Sequence, residues 1–193
     1  MRIHGSLRLA FLAPLAFTAA VLAGCGTLNT VAEGGDSNLM VHGYDPVAYF
    51  TTGAATPGRG DIKTRHRGAT YRFASEENLR QFITSPDRFS PQFGGFSALD
   101  MANAVPATTD GRSFKIVDGR LYLFDSPRQR LYFEMDQERN LRLANQYWES
   151  EVRDATSWQV QSWKRLLWRV PAYKSESDLA AEYEKRFGRK AGG

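Results

Sequence analysis

The sequence predicts an α+β domain, in which a small antiparallel sheet and hairpins pack against helices and a helical extension follows at the C-terminus. Two kinds of pattern predict this class. Apolar and polar residues alternate in FKIVDGRLYLF, residues 114–124, as is typical of half-buried strands. Apolar residues recur at spacings of three and four within residues 76–85 and 175–187, as is typical of amphipathic helices.

The N-terminus is predicted to be a secretory signal. MRIHGSLRLAFLAPLAFTAAVLAGCG starts with Arg2 and Arg8, continues as an apolar run with Pro14 inside it, and ends in small residues before Cys25. These features describe a cleaved signal rather than a transmembrane helix. The ending resembles the bacterial lipoprotein signal, in which the cysteine is acylated. We therefore expect residues 1–24 to be removed and Cys25 to be lipidated. The alternative is an ordinary signal with a chance cysteine.

Cys25 is the only cysteine in the chain. If lipid occupies its sulfur, the mature chain has no thiol for a disulfide, a thiolate nucleophile or a Cys-ligated metal. The formal charge falls by two, from +4 to +2, because Arg2 and Arg8 leave with the signal. No dense basic run remains, so nucleic acid is not an expected partner. No cofactor is required on sequence grounds.

The mature chain is expected to begin with a tether. Residues 25–38 are small and polar, which predicts a flexible link between the anchor and the folded domain. Residues 61–85 then predict two strands and a helix, because Tyr71 and Phe73 alternate with polar residues and Ser75 is a good N-cap. The helix is expected to bury an apolar stripe of Leu79, Phe82 and Ile83.

The next segments mix strand and helix signals. Residues 96–104, FSALDMANA, have helical character. Asp118 and Gly119 lie between two alternating apolar runs, which predicts a β-hairpin with a type I′ turn. RLYFEM, residues 130–135, is expected to add a third strand, and Asp136 to cap a following helix.

Residues 151–193 predict a helical C-terminal extension. Its last helix is expected to begin at Ser175 or Ser177 and to end at Gly188. The helix before it, SWQVQSWKRLLWRV, carries tryptophans and cations at the margin of its apolar face. That arrangement fits two alternatives, packing against the domain or lying on an anionic membrane surface.

Four segments together carry a resemblance to a known family: GYDPVAYFTTG, GATYRFASEENLRQFITSPDRF, PQFGGFSALDMA and DGRLYLF. Their order and spacing resemble the YHS-domain family, and more narrowly its exported bacterial branch, over residues 39–150. Short YHS modules occur beside metal-handling enzymes and transporters, so the resemblance implies a metal-related or small-ligand role. For the exported branch it implies no particular activity.

The chain departs from this family at Ser97, where the family typically has cysteine or selenocysteine. A serine hydroxyl binds soft metals poorly, so a thiolate-metal or redox role is not expected here. Gly94 and Gly95 just before it predict a sharp bend or a close approach of the backbone to something.

A ligand pocket is predicted beside these glycines. Its candidate ligand-binding residues are Tyr44, Asp45, Gly94, Gly95 and Ser97. The alternative for Asp45 is a cap on the turn that follows it, and the alternative for Tyr44 is a packed ring with its hydroxyl satisfied.

Other chemistry has weaker support. His42, His66 and Met101 are candidate metal ligands, since histidine is the commonest ligand and methionine suits Cu(I), but they lack ligand spacing. GFSAL faintly resembles the G-x-S-x-G motif of serine hydrolases around Ser97, although its last glycine is missing.

The sequence therefore predicts a non-catalytic module that binds a small ligand or an envelope protein. It would be anchored by lipid to a membrane of the bacterial envelope and face the periplasm. A metal-binding protein of envelope metal homeostasis is the alternative, and a serine hydrolase is a remote one.

Overall fold

The computed structural model describes residues 28–154 and 173–192, and these confirm the α+β class. The strands are β1 (Thr30–Glu33), β2 (Asp36–Met40), β3 (Arg59–His66), β4 (Ala69–Phe73), β5 (Ser113–Val117) and β6 (Arg120–Phe124). The helices are α1 (Ala48–Thr51), α2 (Glu76–Thr84), α3 (Pro86–Phe89), α4 (Ala98–Met101), α5 (Pro127–Glu134), α6 (Gln137–Tyr147) and α7 (Glu176–Phe187). Turns of 3₁₀ helix lie at Val41–Gly43 and Gln92–Gly95, and a π-helical turn, Trp148–Val152, follows α6.

The larger sheet has the strand order β1-β2-β4-β3, with β2 parallel to β4 and the other pairs antiparallel. The tether predicted over residues 25–38 is therefore wrong for residues 30–38, which belong to the β1–β2 hairpin. Asp36 in that hairpin is buried and accepts hydrogen bonds from Lys63 Nζ at 2.6 Å and Arg72 Nε at 2.8 Å. These partners come from β3 and β4, so local composition does not reveal them.

The β5–β6 hairpin is confirmed, and its turn is type I′, since Asp118 and Gly119 have φ of 50° and 70°. The hairpin separates two hydrophobic clusters. Tyr122 and Phe124 face a cluster built with α4, α5, α6 and α7. Leu121 and Leu123, on the opposite face, belong to a cluster built with the larger sheet and α2.

Helix α2 begins as predicted, with the Ser75 hydroxyl accepting from the Asn78 backbone N–H at 3.1 Å. Phe82 is buried beneath it, and Leu79 packs partly buried against the same cluster. The stripe does not include Ile83, whose relative exposure is 61%. Helix α2 therefore packs through Leu79 and Phe82, and not through all three residues of the predicted stripe.

The third strand predicted at residues 130–135 is wrong, because this segment lies in α5. The Ser126 hydroxyl accepts from the Gln129 backbone N–H at 3.2 Å, and Pro127 follows at the first helical position. This cap and this proline start a helix whose next turn buries Tyr132 and Phe133.

The described parts of the C-terminal extension pack against the cluster that contains Tyr122 and Phe124. Ser175 and Asp178 form a capping box at the start of α7, and Gly188 ends the helix at φ 65°. Leu179 and Tyr183 join the cluster that also holds Val152. The helix predicted over residues 157–170 lies outside the described residues, as do the predicted signal and Cys25. Within residues 28–154 and 173–192, no helix combines the length and apolarity needed to cross a membrane.

Candidate functional site

Three consecutive residues after β2 have left-handed backbone conformations. Val41, His42 and Gly43 have φ of 55°, 51° and 77°. A positive φ is strained for any residue with a Cβ and is a clear outlier for a β-branched one such as Val41. Such strain persists where the surroundings enforce it, and it concentrates at functional sites.

The surroundings of this run are closely packed. Val41 is buried, and its carbonyl accepts from the Tyr44 backbone N–H at 3.1 Å. The Gly43 carbonyl accepts from the Gly58 backbone N–H at 2.8 Å. A Cβ on Gly111 would lie 2.8 Å from Val41 Cγ1, so the glycine allows the loop before β5 to press against the run. The strained conformation is therefore enforced from two other segments.

His42, the middle residue of this run, lines a cleft of about 340 Å³, which we call the His42 cleft. Its lining residues are Glu33, His42, Tyr44, Pro57, Asp110 and Arg112. They come from the end of β1, from the segment after β2, and from the loops before β3 and β5.

The polar groups of the His42 cleft form two contacts across these segments. His42 Nδ1 lies 3.6 Å from Glu33 Oε2, and the two side chains are 37% and 57% exposed. Arg112 Nε donates to the Tyr44 hydroxyl at 3.2 Å and lies 3.7 Å from Asp110 Oδ2. The Tyr44 hydroxyl and then the Asp110 charge raise the pKa of Arg112 further, so it remains a cation.

A buried tyrosine supports the loop before β5. The Tyr49 hydroxyl donates to the Gly111 carbonyl at 2.6 Å, and its ring packs edge-on against Phe114 at 4.6 Å. Burial raises the pKa of Tyr49, so the hydroxyl is a neutral donor at any physiological pH. Tyr49 thus holds the backbone at Gly111 in place, and with it the two neighbouring cleft residues, Asp110 and Arg112.

Asp45 is a framework residue, which is the alternative to its predicted ligand role. It is fully buried, and Oδ1 accepts from the backbone N–H groups of Val47 and Ala48 at 2.8 and 3.2 Å. Oδ2 accepts from the Ala74 backbone N–H at 2.8 Å and from Asn78 Nδ2 at 2.7 Å. Both oxygens are occupied, so the carboxylate joins α1 to α2 and does not face the cleft.

The close approach predicted at the glycine pair is confirmed, but its partner is the chain itself. Gly94 and Gly95 have φ of 59° and 87°. Their carbonyls accept from the Asn29 backbone N–H at 2.8 Å and from Asn29 Nδ2 at 2.9 Å. A Cβ on Gly95 would lie 2.9 Å from Met40 Sδ. The bend holds the start of the β1–β2 hairpin, and the pocket predicted there is replaced by packed chain.

Ser97 is fully buried and caps α4, accepting from the Asp100 backbone N–H at 3.4 Å. Its own N–H donates to the Ala107 carbonyl at 3.0 Å. Burial raises the pKa of Asp100 despite the opposing effect of the Ser97 hydroxyl. Asp100 Oδ2 is buried and has no hydrogen-bond partner among the described residues. Neither the predicted ligand role of Ser97 nor a nucleophilic one fits a side chain with no access to solvent.

The candidate metal ligands lie in different places. His66 is the last residue of β3, and its Nε2 lies 3.0 Å from Asp87 Oδ1. Met101 is fully buried in the core. His42 is in the cleft described above. Across residues 28–154 and 173–192, no group of three or more His, Cys, Asp or Glu side chains could hold a metal ion. His42, His66 and Met101 therefore do not come together in one site.

Of the five predicted ligand-binding residues, Tyr44 lines the His42 cleft, and the other four do not. Sequence reasoning missed Glu33, Asp110 and Arg112. Glu33 lies in the segment predicted to be a tether. Asp110 and Arg112 flank Gly111, where an Asp-Gly pair signals a turn without indicating what the turn faces.

Comparisons of the chain with family models, with curated proteins and with solved structures find no match.

Proposed function

We propose that this chain is a non-catalytic binding module of the bacterial envelope, anchored by lipid on Cys25, that binds a small polar ligand in the His42 cleft. The observation that carries the proposal is the left-handed run at Val41–Gly43, which holds His42 beside Glu33. The His42 side chain is 37% exposed in the cleft, so the strain does little for its own packing, and backbone strain clusters at ligand clamps and active sites.

The lining chemistry defines the ligand. Glu33 and Asp110 offer carboxylates, Arg112 offers a cation, and Tyr44 and His42 offer groups that donate or accept. A small molecule that carries both donors and acceptors matches this set. The residues that line this cleft include no serine, threonine, cysteine or lysine, so the lining offers no aliphatic hydroxyl, thiol or amine nucleophile.

The anchor would place the cleft close to a membrane. Asn29, four positions after Cys25, is bound to Gly94 and Gly95 and so already belongs to the folded part. An extended chain spans at most about 3.5 Å per residue, so a lipid on Cys25 would hold Asn29 within about 15 Å of the bilayer surface. The module would thus sample ligands near the membrane, on the periplasmic side.

Native mass spectrometry of the protein extracted from its membrane tests both parts separately. The wild-type chain is expected to carry acyl mass on Cys25 and a retained small molecule. His42→Ala and Glu33→Gln should lose the small molecule and keep the acyl mass. Cys25→Ala should lose the acyl mass. Purified in its folded form, this variant should keep the small molecule.

The matched control is His66→Ala, which removes the other described histidine; it pairs with Asp87 and does not line the cleft. It should leave the retained molecule unchanged. A small molecule held equally by wild type and His42→Ala would contradict the cleft assignment. Labelling of Ser97 by a fluorophosphonate probe would contradict the non-catalytic part.

A further inference from the structure

A second groove runs along the free edge of β5. It has a volume of about 440 Å³ and is lined by Gly53, residues 112–116, Pro127 and Arg130. We call it the β5 edge groove. Gly53 follows α1, and Pro127 and Arg130 belong to α5, so elements on both faces of the hairpin flank the groove.

The hairpin geometry determines which backbone groups face the groove. In a two-residue type I′ hairpin the residues that flank the turn form a hydrogen-bonded pair, here Val117 with Arg120, and pairing then alternates. The N–H and C=O groups of Phe114 and Ile116 therefore point away from β6, into the groove.

The opposite edge of the hairpin agrees with this assignment. The same alternation turns the backbone of Leu121 and Leu123 outward from β6, and these residues bridge to Pro91 and Ser97. No such bridge is made by Phe114 or Ile116 to any residue in the described parts of the chain. One edge of the hairpin is thus covered, and the other presents strand groups that pair with no residue in the described parts of the chain.

The groove is also basic. Arg112, Lys115 and Arg130 line it, and no acidic residue does. Lys115 and Arg130 share one carboxylate, that of Glu134, at 3.1 and 3.8 Å. Ser113 lines the same groove, and its buried Oγ has no hydrogen-bond partner among the residues described. Two cations with one counter-charge leave net positive charge along this strand edge, which none of the described residues pairs with.

We propose that the β5 edge groove binds an extended acidic peptide, which adds to β5 as a further strand. The outward groups of Phe114 and Ile116 would supply main-chain hydrogen bonds, as in other strand-addition complexes. Arg130 and Lys115 would pair with carboxylates at alternate positions of the peptide, because side chains on one face of a strand recur every second residue. This site goes beyond the small-ligand cleft of the proposed function, and either one stands if the other fails.

The probe is a fluorescein-labelled octapeptide in which glutamate and threonine alternate, measured by fluorescence anisotropy on the full chain in mild detergent. A lysine–threonine octapeptide is its control. Arg130→Glu should weaken binding of the acidic peptide about tenfold or more. Arg80→Glu, which reverses an exposed arginine on α2, should leave it unchanged.

Hydrogen exchange locates the bound peptide. In the free chain the amides of Phe114 and Ile116 should exchange rapidly, and the acidic peptide should protect both. Ile116→Pro should abolish binding without breaking the hairpin, because this N–H makes no bond to β6. If that variant fails to fold, the proposal is still tested by peptide binding to Arg130→Glu and by amide protection of Phe114 and Ile116 in the wild type.

Three results would overturn the proposal. One is protection of both amides in the free chain, which would mean that the edge is already covered. Another is equal binding of the acidic and basic peptides. The third is acidic-peptide binding that leaves the amides of Phe114 and Ile116 unprotected.

Discussion

Gly95→Ala tests whether the glycine pair is kept for packing against the β1–β2 hairpin. Gly95 has φ of 87°, and an added Cβ would lie 2.9 Å from Met40 Sδ. The left-handed backbone costs a residue with a Cβ about 1–2 kcal/mol. Forcing a methyl group against a buried side chain costs about 1–3 kcal/mol more. We expect Gly95→Ala to lower the free energy of unfolding by about 2–5 kcal/mol.

Gly119→Ala is the matched control, because Gly119 has φ of 70° and no heavy atom within 4 Å of an added Cβ. It should lower the free energy of unfolding by the backbone cost alone, about 1–2 kcal/mol. Urea unfolding followed by circular dichroism measures both variants. In a Met40→Ala background, Gly95→Ala should fall to the cost of the control. The packing argument is refuted if Gly95→Ala costs no more than Gly119→Ala in the wild-type background.

Three further variants test the buried polar groups, each by urea unfolding of the purified chain. Burial raises the pKa of Asp100, so the native state binds its proton more tightly than the unfolded state. Stability from this group therefore rises as pH falls toward 3.8, and Asp100→Asn should stabilise the chain at pH 7 and stabilise it less at pH 4. Hydrogen bonds from its lysine and arginine partners lower the pKa of Asp36, so its contribution is present above 3.8 and lost as pH falls below it. Asp36→Asn should destabilise the chain at pH 7, with a smaller effect at pH 3. Tyr49→Phe leaves the Gly111 carbonyl without its 2.6 Å donor and should cost about 1–3 kcal/mol, while a cost near zero would show that water replaces the hydroxyl.

Local signals predicted the elements whose ends are determined locally. The turn at Asp118 and Gly119 depends on two positive φ values that these residues adopt readily, and the structure has both. The Ser75 cap and the Gly188 stop likewise depend on groups within one turn of the helix. These signals are complete within a few residues, so a sequence can display them.

The errors arose where distant residues decide. The β1–β2 hairpin is held by Arg72, which donates to the carbonyls of Glu33 and Gly34 at 3.0 Å, and by the ion pairs of Asp36. Its own residues look like a polar linker. The error at residues 130–135 has a local cause instead: residues 131–133 form an apolar run compatible with a strand, whereas Ser126 and Pro127 just before it start a helix.

Tyr44 is the one residue of the predicted ligand-binding set that lines the His42 cleft, because the cleft too is assembled from residues that are distant in the sequence. Tyr44 stands in a segment whose aromatic character is visible, whereas its partner Arg112 lies 68 positions away. The cleft is assembled from four separated segments, and the strain at Val41 follows from the packing of Gly111 against it. Neither the assembly nor the strain leaves a local pattern.

We infer that the left-handed conformation at His42 is kept for binding rather than for stability. His42→Gly tests it directly, compared with His42→Ala. Glycine at φ 51° relieves a backbone cost of about 1–2 kcal/mol and loses about 0.5–1 kcal/mol through its freer unfolded chain. The exposed contact with Glu33 adds little.

We therefore measure the free energy of unfolding of both variants together with the small molecule retained in native mass spectra. We expect His42→Gly to be at least as stable as the wild type, His42→Ala to be less stable than His42→Gly, and both variants to lose the retained molecule. A His42→Gly chain that is clearly less stable than the wild type, or that keeps the molecule, would contradict it.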